Sequence, residues 1–325
     1  MAHNYYQNYK VSSKNLESKL LEITGKYLDS NDSTLLVKLI IRTEKMNVPT
    51  HGLHYFVHSI YPLLENRSDD FHIDIKNNII HSNGVGGIGF INLYNCLKIA
   101  SQKSEEYGLS MLLVKNPGKV GALRTYAVDL INSGKLVIIT KNTAATQSFK
   151  PGEQLIGTNP FCIGFPSTNF IYDSSTSATC TNGMRLMDKQ DSTFKANVGW
   201  DENGLETNVP SVLLSEGSTL STFANNSFWY KSFFLGVAIE SLAALAGGNT
   251  GDRVGKKKGK RLYSKEGLFC IVIDKEAFPY YSHYKDEIKI LFDKLEAENI
   301  HIPGTKLRND ELLVSKKDWD FINSL

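Results

Sequence analysis

Cysteine is scarce: Cys96, Cys162, Cys180 and Cys270 are spread over 325 residues, and no two stand in a Cys-x-x-Cys spacing. That argues against a disulfide framework or a cysteine zinc site and fits a reducing compartment. Charge of one sign is not in excess, since 36 Lys and Arg stand against 34 Asp and Glu, for a formal net charge of +2. Such a balance gives no global reason to expect nucleic acid or an acidic membrane as partner. Long apolar runs are missing too, and nothing approaches the roughly 18 residues of a membrane span. Met1 to Lys10 is polar and tyrosine-rich, without the apolar core of a secretory leader. The expectation is a soluble, cytoplasmic protein acting on a small molecule. What is present is a 41% hydrophobic chain with no internal repeat and no low-complexity linker. It is long enough for two or three domains, or one large elaborated one.

Leu16, Leu20, Leu21 and Leu28, then Leu35, Leu36, Leu39 and Ile40, recur at helical spacing, with cap residues at Asn31-Asp32-Ser33. This helical hairpin leads to Pro49-Thr50-His51-Gly52. The proline ends the helix and biases Val48 toward an extended conformation. His51 can exchange a proton near neutral pH. By itself the stretch reads more readily as a loop histidine solvating its own turn.

Phe71, Ile73 and Ile75 alternate before Ile79-Ile80, as in a strand hairpin. Gly84-Val85-Gly86-Gly87-Ile88-Gly89 follows and formally matches the Gly-x-Gly-x-x-Gly dinucleotide fingerprint. The acids that would hold a ribose, Glu105 and Glu106, fall at the far end of the next helix, so the context favours a glycine-rich turn. Strands and helices then alternate: a strand at Met111–Val114, a helix at Gly121–Asn132, and strands at Leu136–Thr140 and Phe161–Phe165. Residues 182–227 are rich in Asn, Ser, Thr and Gly and read as a long functional loop. An apolar helix through Leu235 and Leu245, a strand at Leu268–Asp274 and an amphipathic helix through Tyr284 and Leu295 complete the chain. The basic run Gly255 to Arg261 reads as a solvated loop.

Several of these pieces, in this order, resemble the type-2 malate/L-lactate dehydrogenase family, which also contains ureidoglycolate dehydrogenase, diketogulonate reductase and piperidine-2-carboxylate reductase. Thr50-His51-Gly52-Leu53 is similar to its Ser-His-Gly-Val motif, and Gly84 to Gly89 to its Asp-Gly-x-x-Gly-x-Gly turn. Leu155 to Pro160 is similar to its Leu-Gly-Thr-Asn-Pro string, Asp173 to Ser177 to its Asp-Met-Ala-Thr-Ser, and Trp229-Tyr230-Lys231 to the segment before its Lys-Gly. The resemblance implies an α/β fold with a mixed sheet and flanking helices, distinct from a Rossmann domain. It further implies a homodimer that binds NADH or NADPH. The expected organisation is residues 1–115 in a main domain, 116–255 as a central NAD(P)-binding domain, and 256–325 returning to the main domain.

The resemblance also implies site residues. His51 would pass a proton to the carbonyl or imine of a small 2-oxo acid or cyclic imine while the nicotinamide supplies hydride, and Thr50 would orient it. Thr143, Asp173, Ser175, Thr176, Ser177, Tyr230, Lys231, Gly304 and Thr305 would lie along the cofactor. Three positions and one stretch depart from the pattern. Lys119 stands where the family has a second histidine, Tyr55 where it has an arginine, and Ser59 where it has a tyrosine. Aromatic residues from Phe228 to Phe234 replace glycines. Losing the arginine removes a fork for a substrate carboxylate, which Lys119 would replace as a point charge. The same departures suit a binding module without catalysis, or a Lys119 that forms a Schiff base.

Overall fold

The computed structural model describes residues 8–67, 71–85, 87–224, 228–254, 265–304, 307 and 310–325. Gly86, Thr305 and the basic run from Gly255 to Arg261 lie outside the described residues. Helix Ser13–Thr24 is capped by the Ser12 hydroxyl, and helix Ser30–Lys45 by the Asp29 carboxylate. The pair buries Leu16, Leu20, Ile23, Leu36, Leu39 and Ile40 against each other and the main core. The second helix stops before Pro49 can act on it. Asn47 takes a left-handed conformation, φ +58°, which asparagine tolerates better than most residues.

The central sheet has seven strands in the order His72–Lys76, Ile79–Asn83, Leu109–Lys115, Gly267–Asp274, Lys135–Lys141, Phe161–Gly164 and Ile171–Ser174. Only Ile79–Asn83 and Leu109–Lys115 pair in parallel; the other five pairings are antiparallel. This mixed sheet, with helices Gly89–Tyr107, Arg124–Asn132 and Trp229–Leu245 against it, is not a doubly wound parallel sheet. Gly267–Asp274 sits at its centre, where Leu268, Cys270 and Val272 are fully buried, as expected of a near-continuous apolar strand.

These pairings make Ile79–Asn83, Leu109–Lys115, Lys135–Lys141 and Ile171–Ser174 all run in one direction. Their C-terminal ends, and the start of Gly267–Asp274, therefore share one edge of the sheet. The glycine-rich turn lies at this edge and serves packing. A Cβ on Gly84 would fall 2.7 Å from the Asn116 carbonyl, and one on Gly89 2.5 Å from that of Pro117. Glu105, counted in sequence as the fingerprint acid, instead pairs with Lys135 at 3.0 Å.

Asn8–Ser12 pairs with Glu311–Ser315, joining the two ends of the described chain, and helix Lys316–Asn323 follows. Residues 182–227 are less irregular than their composition suggests. They carry a three-stranded sheet, Gly199–Trp200, Glu206–Thr207 and Thr219–Leu220, over a small core of Met184, Leu213 and Leu220. The helix expected from Gly121 begins at Arg124, where the Asp173 carboxylate accepts its backbone N–H. No helix among the described residues is long and apolar enough to cross a membrane.

Candidate active site

His51 stands half-buried on the turn between helix Ser30–Lys45 and the short helical segment Leu53–Tyr55. Glu44, at the end of the preceding helix, shapes that turn by accepting the Leu53 N–H at 2.6 Å. A Cβ on Gly52 would lie 2.1 Å from the same carboxylate oxygen, so a glycine is what lets the chain pass. The Thr50 hydroxyl lies 2.8 Å from His51 Nδ1. On its other side the imidazole stacks on Tyr55, ring centroids 5.3 Å apart.

Burial lowers the His51 pKa to about 4, and the charges of Arg124 and His54 push it the same way. The ring is therefore neutral near pH 7, with Nδ1 engaged by a hydroxyl that suits either tautomer. Nε2 is left to give or take a proton. Burial drives the Tyr55 phenol far above its usual range, with the Glu266 charge adding to the shift, and its oxygen accepts an N–H from Gly121. Tyr55 is thus a neutral wall for the histidine.

Arg124 is the cation whose charge bears on His51. Its backbone N and Nε both donate to Asp173 Oδ2 at 3.1 Å, and Nη2 donates to the Asp173 carbonyl at 3.0 Å. Burial raises the Asp173 pKa while Arg124 opposes the rise. Lys119 is half-buried on the loop after Leu109–Lys115. Its charge reinforces the desolvation that lowers the pKa of buried Lys141, whose ammonium pairs with Glu266. Cys180 is half-buried near Tyr55, and burial raises its thiol pKa.

The hydroxyl groups form an adjoining cluster. Thr143 Oγ1 lies 3.2 Å from Thr158 Oγ1 and accepts the Thr158 N–H at 2.9 Å. Thr176 N donates to the Thr158 carbonyl at 2.9 Å, and its fully buried hydroxyl is taken up by Gln147 and that carbonyl. Ser175 and Ser177 are 3.3 Å apart through their hydroxyls, and Ser177 bridges to Thr222. Ala224, two residues on, donates its N–H to the Ser232 hydroxyl oxygen at 3.3 Å, which brings the start of helix Trp229–Leu245 to this side. Tyr230 and Lys231 are exposed there, with Lys231 Nζ 5.0 Å from the Phe228 ring centre. Phe233 is buried against Phe149, whereas Phe228 and Phe234 face outward. Gly304 lies apart, bridged to Phe170 at the opposite end of strand Ile171–Ser174 from Ser175.

The model of the malate/L-lactate dehydrogenase family matches residues 12–312. The chain belongs to the malate/L-lactate dehydrogenase family. It is an oxidoreductase of that family, and its curated relatives are distant. It is 20% identical to a malate dehydrogenase of Pyrococcus horikoshii over 91% of this chain and 85% of that one. It is 28% identical to a pyrroline-2-carboxylate/piperideine-2-carboxylate reductase of Pseudomonas syringae over 45% of this chain and 43% of that one. The fold is shared with the crystal structure of the piperideine-2-carboxylate reductase of Pseudomonas syringae, at a TM-score of 0.81 and 18% identity, covering 97% of this chain and 99% of that one. A dehydrogenase of Sinorhizobium meliloti gives 0.81 at 19% identity, over 99% of both chains.

Within this family member, two residues that sequence reading passed over hold the site together. Glu240, the one acid of helix Trp229–Leu245, is 4% exposed. Its Oε1 accepts from Gly157 N at 3.0 Å and Asn159 Nδ2 at 2.9 Å, and its Oε2 from Asn142 Nδ2 at 2.7 Å and Gly251 N at 2.9 Å. Gln147 ties the Gly157 carbonyl to Thr176. A lone acid inside an apolar helix was the available signal for Glu240; Gln147 had none.

Proposed function

We propose that this family member reduces a small 2-oxo acid or cyclic imine with NADH or NADPH, and in reverse oxidises the hydroxy acid or amine. One arrangement carries the reading: a neutral His51, aligned by Thr50, beside an arginine braced by Asp173 at the end of four sheet strands. When bound, the nicotinamide supplies the hydride. His51 takes a proton from solvent as the substrate carboxylate enters beside it; Nε2 of the resulting imidazolium gives that proton to the carbonyl oxygen or imine nitrogen, and the neutral ring takes it back in the reverse direction. Thr50 holds the ring through Nδ1, its hydroxyl accepting from the imidazolium N–H.

A carboxylate on the substrate balances the positive charge here. Nη1 of Arg124 has no hydrogen bond among the described residues, because Asp173 occupies Nε and Nη2. That free nitrogen, with Lys119 as a second cation, anchors the carboxylate in place of the arginine missing at position 55. The half-buried hydroxyls of Thr143, Thr158 and Ser175 suit ribose and phosphate oxygens, and Lys231 suits a phosphate. The Thr176 hydroxyl, already bonded twice, supports the loop instead. The outward face of helix Trp229–Leu245, with Phe234 61% and Leu245 73% exposed, supports a homodimer that covers it.

The test is NADH and NADPH oxidation across 2-oxo acids and cyclic imines, with His51→Gln as control. Turnover that His51→Gln reduces by roughly a hundredfold or more is the expected outcome. If saturating NADH and NADPH both leave intrinsic fluorescence and melting temperature unchanged, the proposal fails.

A further inference from the structure

Behind the catalytic turn lies a cluster that the reaction does not use. His54 and His58 project from one side of the segment Leu53–Ile60, one turn apart, with ring centroids at 4.5 Å. Between them enters Asp318 from helix Lys316–Asn323, 1% exposed. Its Oδ2 is 2.8 Å from His54 Nδ1 and its Oδ1 2.8 Å from His58 Nε2. Lys189, which follows helix Thr181–Asp188, places Nζ 2.6 Å from His58 Nε2 and 3.2 Å from Asp318 Oδ1.

We propose that His54, His58 and Asp318 form a binding site for a divalent transition metal, with zinc the best-suited ion, and that the Lys189 ammonium fills it when no metal is bound. Three ligand atoms from these residues lie within 4.8 Å of one another. Two imidazole nitrogens and a carboxylate are a donor set that zinc accepts in tetrahedral sites, with water completing the shell. Histidines four residues apart on a helical segment present both nitrogens to one point.

The decisive detail is His58 Nε2. Its carboxylate neighbour asks it to carry a proton, and its ammonium neighbour asks it to offer a lone pair. One ring nitrogen cannot do both. A metal ion resolves the conflict by taking the lone pair of His58 and the negative charge of Asp318 together. Lys189 can leave, since its side chain is 31% exposed. Its backbone stays in place, because Lys317 Nζ donates to the Lys189 carbonyl at 2.9 Å. Asp318 cannot leave; a buried carboxylate needs a cation beside it, and only the identity of that cation changes.

The experiment uses the full chain, stripped with a chelator, titrated with zinc chloride by calorimetry and with cobalt chloride by visible absorption. Wild type should bind one ion, with cobalt showing the intense absorption of a low-coordinate site. Lys189→Met should bind about tenfold tighter or more, since no ammonium competes, and His58→Ala about tenfold weaker or more. His58 is the partly exposed ligand, so its variant keeps the fold, which circular dichroism checks. Absence of binding by wild type overturns the proposal, even if Lys189→Met binds, because lysine is then the native cation. Unchanged affinity in His58→Ala overturns it too, by placing the ion elsewhere.

Discussion

Replacing Glu240 by glutamine changes one oxygen into an NH2 group and little else in shape. The carboxylate accepts four N–H donors, two on each oxygen, from Gly157, Asn159, Asn142 and Gly251. Whichever way the new amide turns, its NH2 faces two donors that it cannot accept from. Two hydrogen bonds are lost on a residue 4% exposed, with no water to replace them. Hydrogen bonds to a charged group contribute about 1.5–3 kcal/mol each, so the variant should lose about 3–6 kcal/mol. Urea unfolding followed by fluorescence measures this directly, with an unchanged slope showing that the denatured state is the same. Because Thr158 rides on the Gly157–Asn159 loop, NADH affinity should weaken even under conditions where the variant is fully folded. A loss below about 1 kcal/mol would refute the reasoning, since it would mean that the loop is held by something other than this carboxylate.

Other expectations concern the catalytic turn and its surroundings. Folded His51 titrates near 4 against 6.5 unfolded, so the unfolded chain binds the extra proton between those pH values. Its share of stability is complete above pH 6.5 and is lost as pH falls toward 4, at most about 3 kcal/mol and less for a half-buried ring. His51→Gln should therefore flatten that limb of the stability curve. Thr50→Val removes one neutral hydrogen bond of about 0.5–1.5 kcal/mol and should lower kcat about two- to tenfold without changing NADH affinity. Arg124→Lys keeps the charge but loses the fork, and should raise KM for the acid roughly tenfold while kcat changes less. In Gly304→Ala the new Cβ would fall 1.4 Å from the Asn169 carbonyl, so urea unfolding should show a loss of roughly 1–3 kcal/mol.

Much of the architecture was legible because it depends on local pattern. The apolar spacing of Leu16 to Ile40 gives the helical hairpin, and the alternation after Phe71 gives the strand pair. What sequence could not show was which strands become neighbours. Gly267–Asp274 reads as an apolar strand but carries no sign that it inserts between Leu109–Lys115 and Lys135–Lys141. At the site, His51 and Thr50 were visible because they are adjacent. Arg124 reads as one residue within an ordinary helix, Gly121–Asn132, until Asp173, 49 residues later, is seen to brace it. The spacing of His54 and His58 was open to inspection, yet it gains meaning only from Asp318, more than 250 residues away. In the sequence Lys119 stands as the replacement for a missing arginine because charge, unlike position, can be counted there.

The central place of Gly267–Asp274 also bears on how the molecule is made. A ribosome releases the two strands that flank it long before residue 267 of 325 appears, and until then each lacks its inner partner. The nascent chain carries two half-sheets with exposed apolar edges, which only the late strand can seal. Completion of the core therefore waits until Gly267–Asp274 has been made, and the pairing of Asn8–Ser12 with Glu311–Ser315 waits longer still. Contacts so distant in sequence make for slow closure and a period of vulnerability to aggregation. A stop codon before residue 267 would then leave a chain that needs a chaperone, not a smaller enzyme.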